Sequence, residues 1–153
     1  MASSCRIAIV GGGLAGLATA NALSTFGIKA EVFEQAPALG EIGAAVNTSP
    51  QAVKALRAIG VGDGIAAVGH LSPGIYTRNM NTGEFLEFTD RHEIAARYGA
   101  PYYSFHRADL LDVLAAKLDR GAIHLGHRLT GVEEQPDRTV LTFANGEKVE
   151  AEY

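Results

Sequence analysis

The chain contains no tryptophan and a single cysteine, Cys5, in 153 residues. One cysteine cannot close an internal disulfide, so a disulfide-stapled secreted domain is excluded and a reducing, cytoplasmic setting is expected. An excess of basic charge is also missing. Thirteen Lys and Arg stand against seventeen Asp and Glu, a formal net charge of −4. That leaves no electrostatic footprint for nucleic acid and no polybasic patch for a membrane surface. Long apolar runs are scarce. Ile7 to Ala22 contains Ala18-Thr19-Ala20, which has the form of a signal-peptide cleavage site, but Gly11-Gly12-Gly13 and Gly16 interrupt it, which is poor chemistry for a signal core. No segment approaches the ~20 apolar residues that span a bilayer. The histidines at 70, 92, 106, 124 and 127 are scattered, so no metal site is expected. No Ser-His-Asp or Cys-His arrangement can be argued from the order of residues.

Glycine, by contrast, is abundant, with eighteen residues, and 47% of the chain is hydrophobic. The glycines fall between apolar runs and read as punctuation of a globular domain. Arg6 to Val10 reads as a buried parallel strand, expected at the centre of its sheet. Leu14, Leu17, Ala18 and Leu23 recur at helical spacing up to Phe26, with Gly27 at the C-cap. Lys29 to Glu34 reads as the neighbouring strand. Ala36 to Asn47 has no period and reads as a long loop. Ser49 and Pro50 open a helix that buries Val53, Leu56 and Ile59 and stops at Gly60. Ile65 to Val68 reads as a short helical turn. Gly74 to Met80 and Glu84 to Thr89 form two strands joined at Asn81-Thr82-Gly83. Asp90, Arg91 and Glu93 read as a charged connector. Tyr102 to Phe105 is a strand, with the tyrosine pair in core and sheet surface rather than catalysis. Ala108 to Leu118 is an amphipathic helix whose Asp109 and Asp112 face solvent or cap it. His127 to Glu134, Thr139 to Phe143 and Glu147 to Glu152 form an antiparallel meander turning at Pro136-Asp137 and Asn145-Gly146.

One constellation carries chemistry. Gly11-x-Gly13-x-x-Gly16 follows a strand and opens a helix. Gly11 permits the tight turn, Gly13 lets a pyrophosphate approach the backbone, and Gly16 lets helix and strand pack closely. The helix start at Gly13, Leu14, Ala15 and Gly16 then offers unpaired N–H groups and a positive dipole end to phosphate. Glu34 ends the second strand, eighteen residues after Gly16. Its carboxylate can accept both hydroxyls of an adenosine ribose and would repel a 2′-phosphate. Gln35 follows it at the edge of the same site. The spacing indicates an ADP moiety and leaves FAD and NAD both open.

Two further segments carry a resemblance. Gly40-Glu41-Ile42-Gly43-Ala44-Ala45-Val46, followed by Ser49-Pro50, resembles the loop after the second strand of class A flavoprotein monooxygenases. Phe105-His106-Arg107-Ala108-Asp109-Leu110 resembles the His-Arg-x-Asp-Leu segment of the same family, in salicylate hydroxylase-like form. The resemblance runs the length of the chain. It implies an α/β, Rossmann-like FAD-binding fold with an added β-meander and part of a substrate-domain sheet. Residues 1–153 would form a truncated FAD-binding domain, with 70–105 opening the substrate-binding sheet. It further implies FAD as cofactor, NADH or NADPH as co-substrate, and O2-dependent hydroxylation of a small phenolic acid. Ala45 and Val46 would run beside the isoalloxazine ring, Arg107 would meet the ribityl–pyrophosphate part, and backbone of Leu129 would lie near the adenine. Ala45 stands where that family commonly has glycine, which tightens the loop. Relatives continue into Asp-Gly and Gly-Asp motifs beyond the strand that opens at Glu147, so the chain resembles the front part of such an enzyme. Two other readings stay open: a cofactor-binding fragment without turnover, and an NAD-binding dehydrogenase half.

Overall fold

The computed structural model describes residues 3–40 and 44–153. The chain opens with β1 (Ser3–Cys5) and β2 (Ala8–Val10), turns through glycines into α1 (Leu14–Thr25), and returns as β3 (Glu31–Phe33). α1 is apolar nearly all round because it is sandwiched, with Leu17, Ala20 and Asn21 buried. It stops at Gly27, whose φ of +72° reverses the chain at no steric cost. β4 (Ala45–Thr48) leads into α2 (Pro50–Ala58), where the Ser49 hydroxyl accepts from the Ala52 N–H and proline takes the first helical position, as expected. α3 (Gly62–Val68), β5 (His70–Leu71) and the hairpin of β6 (Gly74–Arg78) and β7 (Phe85–Asp90) follow. Next come α4 (Arg91–Tyr98), β8 (Tyr103–His106), α5 (Arg107–Ala116) and β9 (Ile123–His124). β10 (Leu129–Glu134), β11 (Thr139–Phe143) and β12 (Lys148–Ala151) complete the order.

These strands form four sheets. β2, β3 and β9 are parallel, with Ile9 opposite Val32 and Val32 opposite Ile123. β10, β11 and β12 form the expected antiparallel meander, and β1 adds to it in parallel beside β12. β8 lies between β4 and β5, antiparallel to both. Among the described residues two clusters make the core. The larger packs α1, α2, α3 and α5 through Leu17, Val53, Ile65 and Leu114. The smaller joins Phe33 to Leu141, Phe143 and Val149 of the meander. Asn21 crosses between helices, its Nδ2 donating to the carbonyls of Leu17 (2.8 Å) and Leu114 (2.9 Å). Among the described residues no helix is long and apolar enough to cross a membrane.

Three expectations are corrected. The first strand pairs with the second as expected but stands at an edge of the parallel sheet, with β3 in the middle, because β9 adds on the far side of β3. An apolar run signals burial of faces and cannot distinguish a centre strand from an edge. The expected loop of residues 36–47 ends in a strand, since Ala45 to Thr48 pair with β8. The charged connector at Asp90 to Glu93 is the start of α4. Asp90 caps that helix through its carboxylate, which accepts from the N–H groups of His92 and Glu93. In addition, β1, β5 and β9 were not anticipated; at two or three residues they carry too little alternation to be seen.

Two outcomes are expected. An alanine Cβ at Gly16 would sit 1.9 Å from the Gly11 carbonyl oxygen, so Gly16→Ala should cost about 1–3 kcal/mol or more in urea denaturation. The Cys5 thiol is pushed up to about 11, first by burial and then by Glu31. As pH rises from 9 toward 11 the unfolded chain gives up this proton first, so stability should fall across that window. Iodoacetamide labelling at pH 8 should be slow in the folded chain and fast in urea.

Candidate cofactor site

The glycine turn between β2 and α1 is built from close approaches, each tied to a particular residue. Gly11 has φ +110°, a conformation that side chains rarely adopt, and its N–H donates to the Phe33 carbonyl at 2.8 Å. This bond clamps the turn to β3. Gly16 lets the first turn of α1 rest against the Gly11 carbonyl. Gly13 is the N-cap, and nothing lies within 4 Å of where its Cβ would be. Space above a backbone N-cap is what an incoming phosphate needs. α1 has no side-chain cap and no acidic residue in its first turn. The N–H groups of Leu14, Ala15 and Gly16 therefore begin a helix whose positive end no side chain of its own neutralises. Ala15 is exposed there, while Leu14 turns to the core.

Glu34 meets this turn directly. Its Oε2 accepts from the Gly12 N–H at 2.6 Å and its Oε1 from the Ala36 N–H at 2.9 Å. The carboxylate thus braces the loop, and each oxygen keeps a lone pair for a further donor. The contact explains Gly12, which the sequence pattern leaves as a spacer. A Cβ at Gly12 would lie 2.8 Å from that of Glu34. The unbroken Gly11-Gly12-Gly13 run was the signal available for it.

Gly11, Glu34, Gln35 and Leu129 come together in one cleft of about 250 Å³, lined also by Val10, Phe33, His127 and Arg128. Backbone bonds hold its walls: the His127 N–H donates to the Glu34 carbonyl at 2.8 Å and the Gly126 N–H to the Ala36 carbonyl at 2.9 Å. His127 and Arg128 are lining residues that sequence reasoning did not assign. A larger depression of about 430 Å³ lies between Ala20–Glu31 and Lys117–Ala122 but contains none of the anticipated site residues.

Ala45, Val46 and Arg107 gather elsewhere, at the β4–β8 pairing. Ala45 stands opposite His106 and Val46 opposite Phe105, and the Arg107 N–H donates to the Ala44 carbonyl at 2.9 Å. Val46 packs on the core and Ala45 faces outward. Glu41, Ile42 and Gly43, the middle of the anticipated Gly-Ala loop, lie outside the described residues. His124 and His127 are occupied by carboxylates, with Nε2 of His124 2.8 Å from Glu31 and Nε2 of His127 2.7 Å from Glu147. Among the described residues no group of His, Cys, Asp and Glu is arranged to hold a metal ion. Asp109 and Asp112 are exposed.

A family described as FAD binding domain matches residues 4–153. The chain is 41% identical over 150 residues to 3-amino-4-hydroxybenzoate 2-monooxygenase of Streptomyces cremeus, covering 96% of this chain and 38% of that protein. It is 36% identical over 149 residues to salicylate hydroxylase of Pseudomonas putida, covering 92% and 33%. Among solved structures, Klebsiella pneumoniae HpxO complexed with FAD and uric acid aligns with a TM-score of 0.82 at 28% identity, covering 95% of this chain and 36% of that one. The chain thus spans little more than a third of the length of the proteins it matches.

Two substitutions separate cofactor space from fold. Gly13→Val should leave the urea midpoint nearly unchanged, since the space there is open, yet abolish ADP and FAD binding in a fluorescence titration. Gly12→Ala should displace Glu34, and so lower both affinity and stability.

Proposed function

Because the chain belongs to the FAD binding domain family, we propose that its glycine cleft holds the ADP part of FAD in an aromatic monooxygenase. The observation that carries this reading is the turn itself: open space at Gly13, an uncapped α1, and the Glu34 carboxylate tied to the Gly12 N–H. The residues fit the cofactor in sequence along its length. Backbone at Leu129, beside Gln35, would hold the adenine. Glu34 would accept from the ribose hydroxyls. Gly11 and Gly13, with the N–H groups of Leu14, Ala15 and Gly16, would take the pyrophosphate. Arg107 would meet the ribityl–pyrophosphate part, and Ala45 and Val46 would run along the ring.

Bound FAD supplies the redox chemistry with O2 and NADH or NADPH. This chain's residues bind and orient it. The substrate class is a small aromatic acid of phenolic type, in keeping with the hydroxybenzoate and salicylate named for the relatives. Residues 70–105 open the sheet that covers the substrate. The β6–β7 hairpin supports this: Tyr76, Phe85 and Leu86 are exposed on it, as suits strands that join a larger sheet. A cytoplasmic location agrees with the lone thiol of Cys5 and with a reduced nicotinamide supply.

The length covered, 38% of the Streptomyces relative, favours a second reading for the chain by itself: FAD binding without productive hydroxylation. Enclosure excludes water from such chemistry. The test begins with the purified chain and FAD. A yellow bound chromophore is expected, whereas binding of NAD in its place would overturn the flavin reading. Glu34→Ala should weaken FAD by about 1.5–3 kcal/mol, roughly 10- to 150-fold. Adding NADH and salicylate then separates the two readings. Peroxide without hydroxylated product marks the chain as incomplete, and stoichiometric product shows that these residues suffice.

A further inference from the structure

Arg91 is the most unusual charge in the fold. It opens α4 and is only 7% exposed. Its Nη1 donates to the Ser104 hydroxyl at 3.4 Å and its guanidinium lies 4.0 Å from the centre of the Tyr102 ring. Its Nε is buried without a hydrogen-bond partner, and among the described residues no carboxylate forms an ion pair with it. Asp90, next in the chain, is turned the other way to cap α4. A buried cation without an anion is costly, and the hydroxyl it donates to is bonded in turn to the exposed Asn47.

Asn47 and Ser104 belong to the β4–β8–β5 sheet. Thr48, Tyr103 and Phe105 are buried toward the core. By alternation Asn47 and Ser104 point to the other side. Asn47 stands opposite Ser104, and Ser104 opposite His70. The hydrogen bonds have a direction. Ser104 Oγ accepts from Arg91 and so has its own proton to give, which goes to Asn47 Oδ1 at 2.7 Å. This fixes the Asn47 amide with its oxygen toward Ser104 and its two N–H bonds toward the open side. Asn47 is exposed. It lies two residues from Ala45, about 7 Å along the strand. That is the span of one substituted benzene ring from the edge where the flavin ring would lie.

We propose that Asn47 is the anion-binding contact of the substrate pocket, taking the carboxylate of an aromatic acid, with Ser104 and Arg91 as positioning residues behind it. The charge of Arg91 reaches the carboxylate through the Ser104 hydroxyl and the oriented amide. This assignment rests on the flavin-site reading above.

The test uses the 15N-labelled chain loaded with FAD and titrated with benzoate and with benzamide, which differ in charge and little in shape. Benzoate should shift the Asn47 side-chain NH2 signals and bind at least tenfold tighter than benzamide. Arg91→Gln and Ser104→Ala should each bring the two ligands within twofold of one another while FAD affinity is unchanged. Arg91→Lys should keep part of the preference. If Arg91→Gln does not fold, Ser104→Ala decides. Equal binding of the two ligands, no binding of either, or a preference that survives Ser104→Ala would overturn the proposal. Failure to bind FAD would sink the flavin reading first, and this inference with it.

Discussion

The approach of α1 to β2 across the glycine turn is the constraint on which the other features depend. Gly16 brings the helix against the Gly11 carbonyl, closer than any side chain allows. That contact aims the helix N-terminus at open space and brings the Gly12 N–H within reach of Glu34. The carboxylate then holds the turn from the neighbouring strand, and the Gly11 N–H holds it to the Phe33 carbonyl. The packing contact and the open helix N-terminus are therefore set by one turn. A substitution at Gly12 or Gly16 meets neighbouring atoms at once, while a side chain at Gly13 would enter open space.

Phe33 connects this unit to the rest of the chain. It stacks on His124 at 4.7 Å and on Phe143 at 5.1 Å, and meets His127 edge-on. This aromatic cluster packs the parallel sheet on the meander, and backbone bonds between Ala8 and Tyr153 and between His127 and Glu34 add to the junction. The cleft beside Glu34 exists because Leu129 begins β10 where this junction delivers it. His124 and His127 both pack on Phe33, each beside a carboxylate, and His127 lines the cleft.

Much of the fold was legible in the residue order because it rests on local rules. Ser49-Pro50 starts a helix, Asn145-Gly146 turns a hairpin, and Gly27 and Gly60 stop helices, each for reasons of backbone geometry. The cofactor turn belongs to the same class, since its glycines and Glu34 are placed by short spacing. Other parts were not legible. α4 was hidden because Asp90, Arg91 and Glu93 look like a solvated run. Only the packing of Arg91 under Tyr102 and against Ser104 shows that one of those charges is buried. β4 looked like loop because four residues carry too little pattern until β8 supplies the pairing.

The residue order by itself determined the strand–glycine–helix–strand unit, its acidic anchor and the ADP-type ligand it suits, since all three follow from contacts within thirty residues of chain. Which strand is central, which glycine shields Glu34, and how Leu129 reaches a cleft that begins at Gly11 were decided only by the tertiary structure. So was the gathering of Asn47, Ser104 and Arg91. These are pairings between segments distant in the chain, some more than a hundred residues apart, and their partners are chosen by the packing of the whole core, for which no local spacing carries a signal.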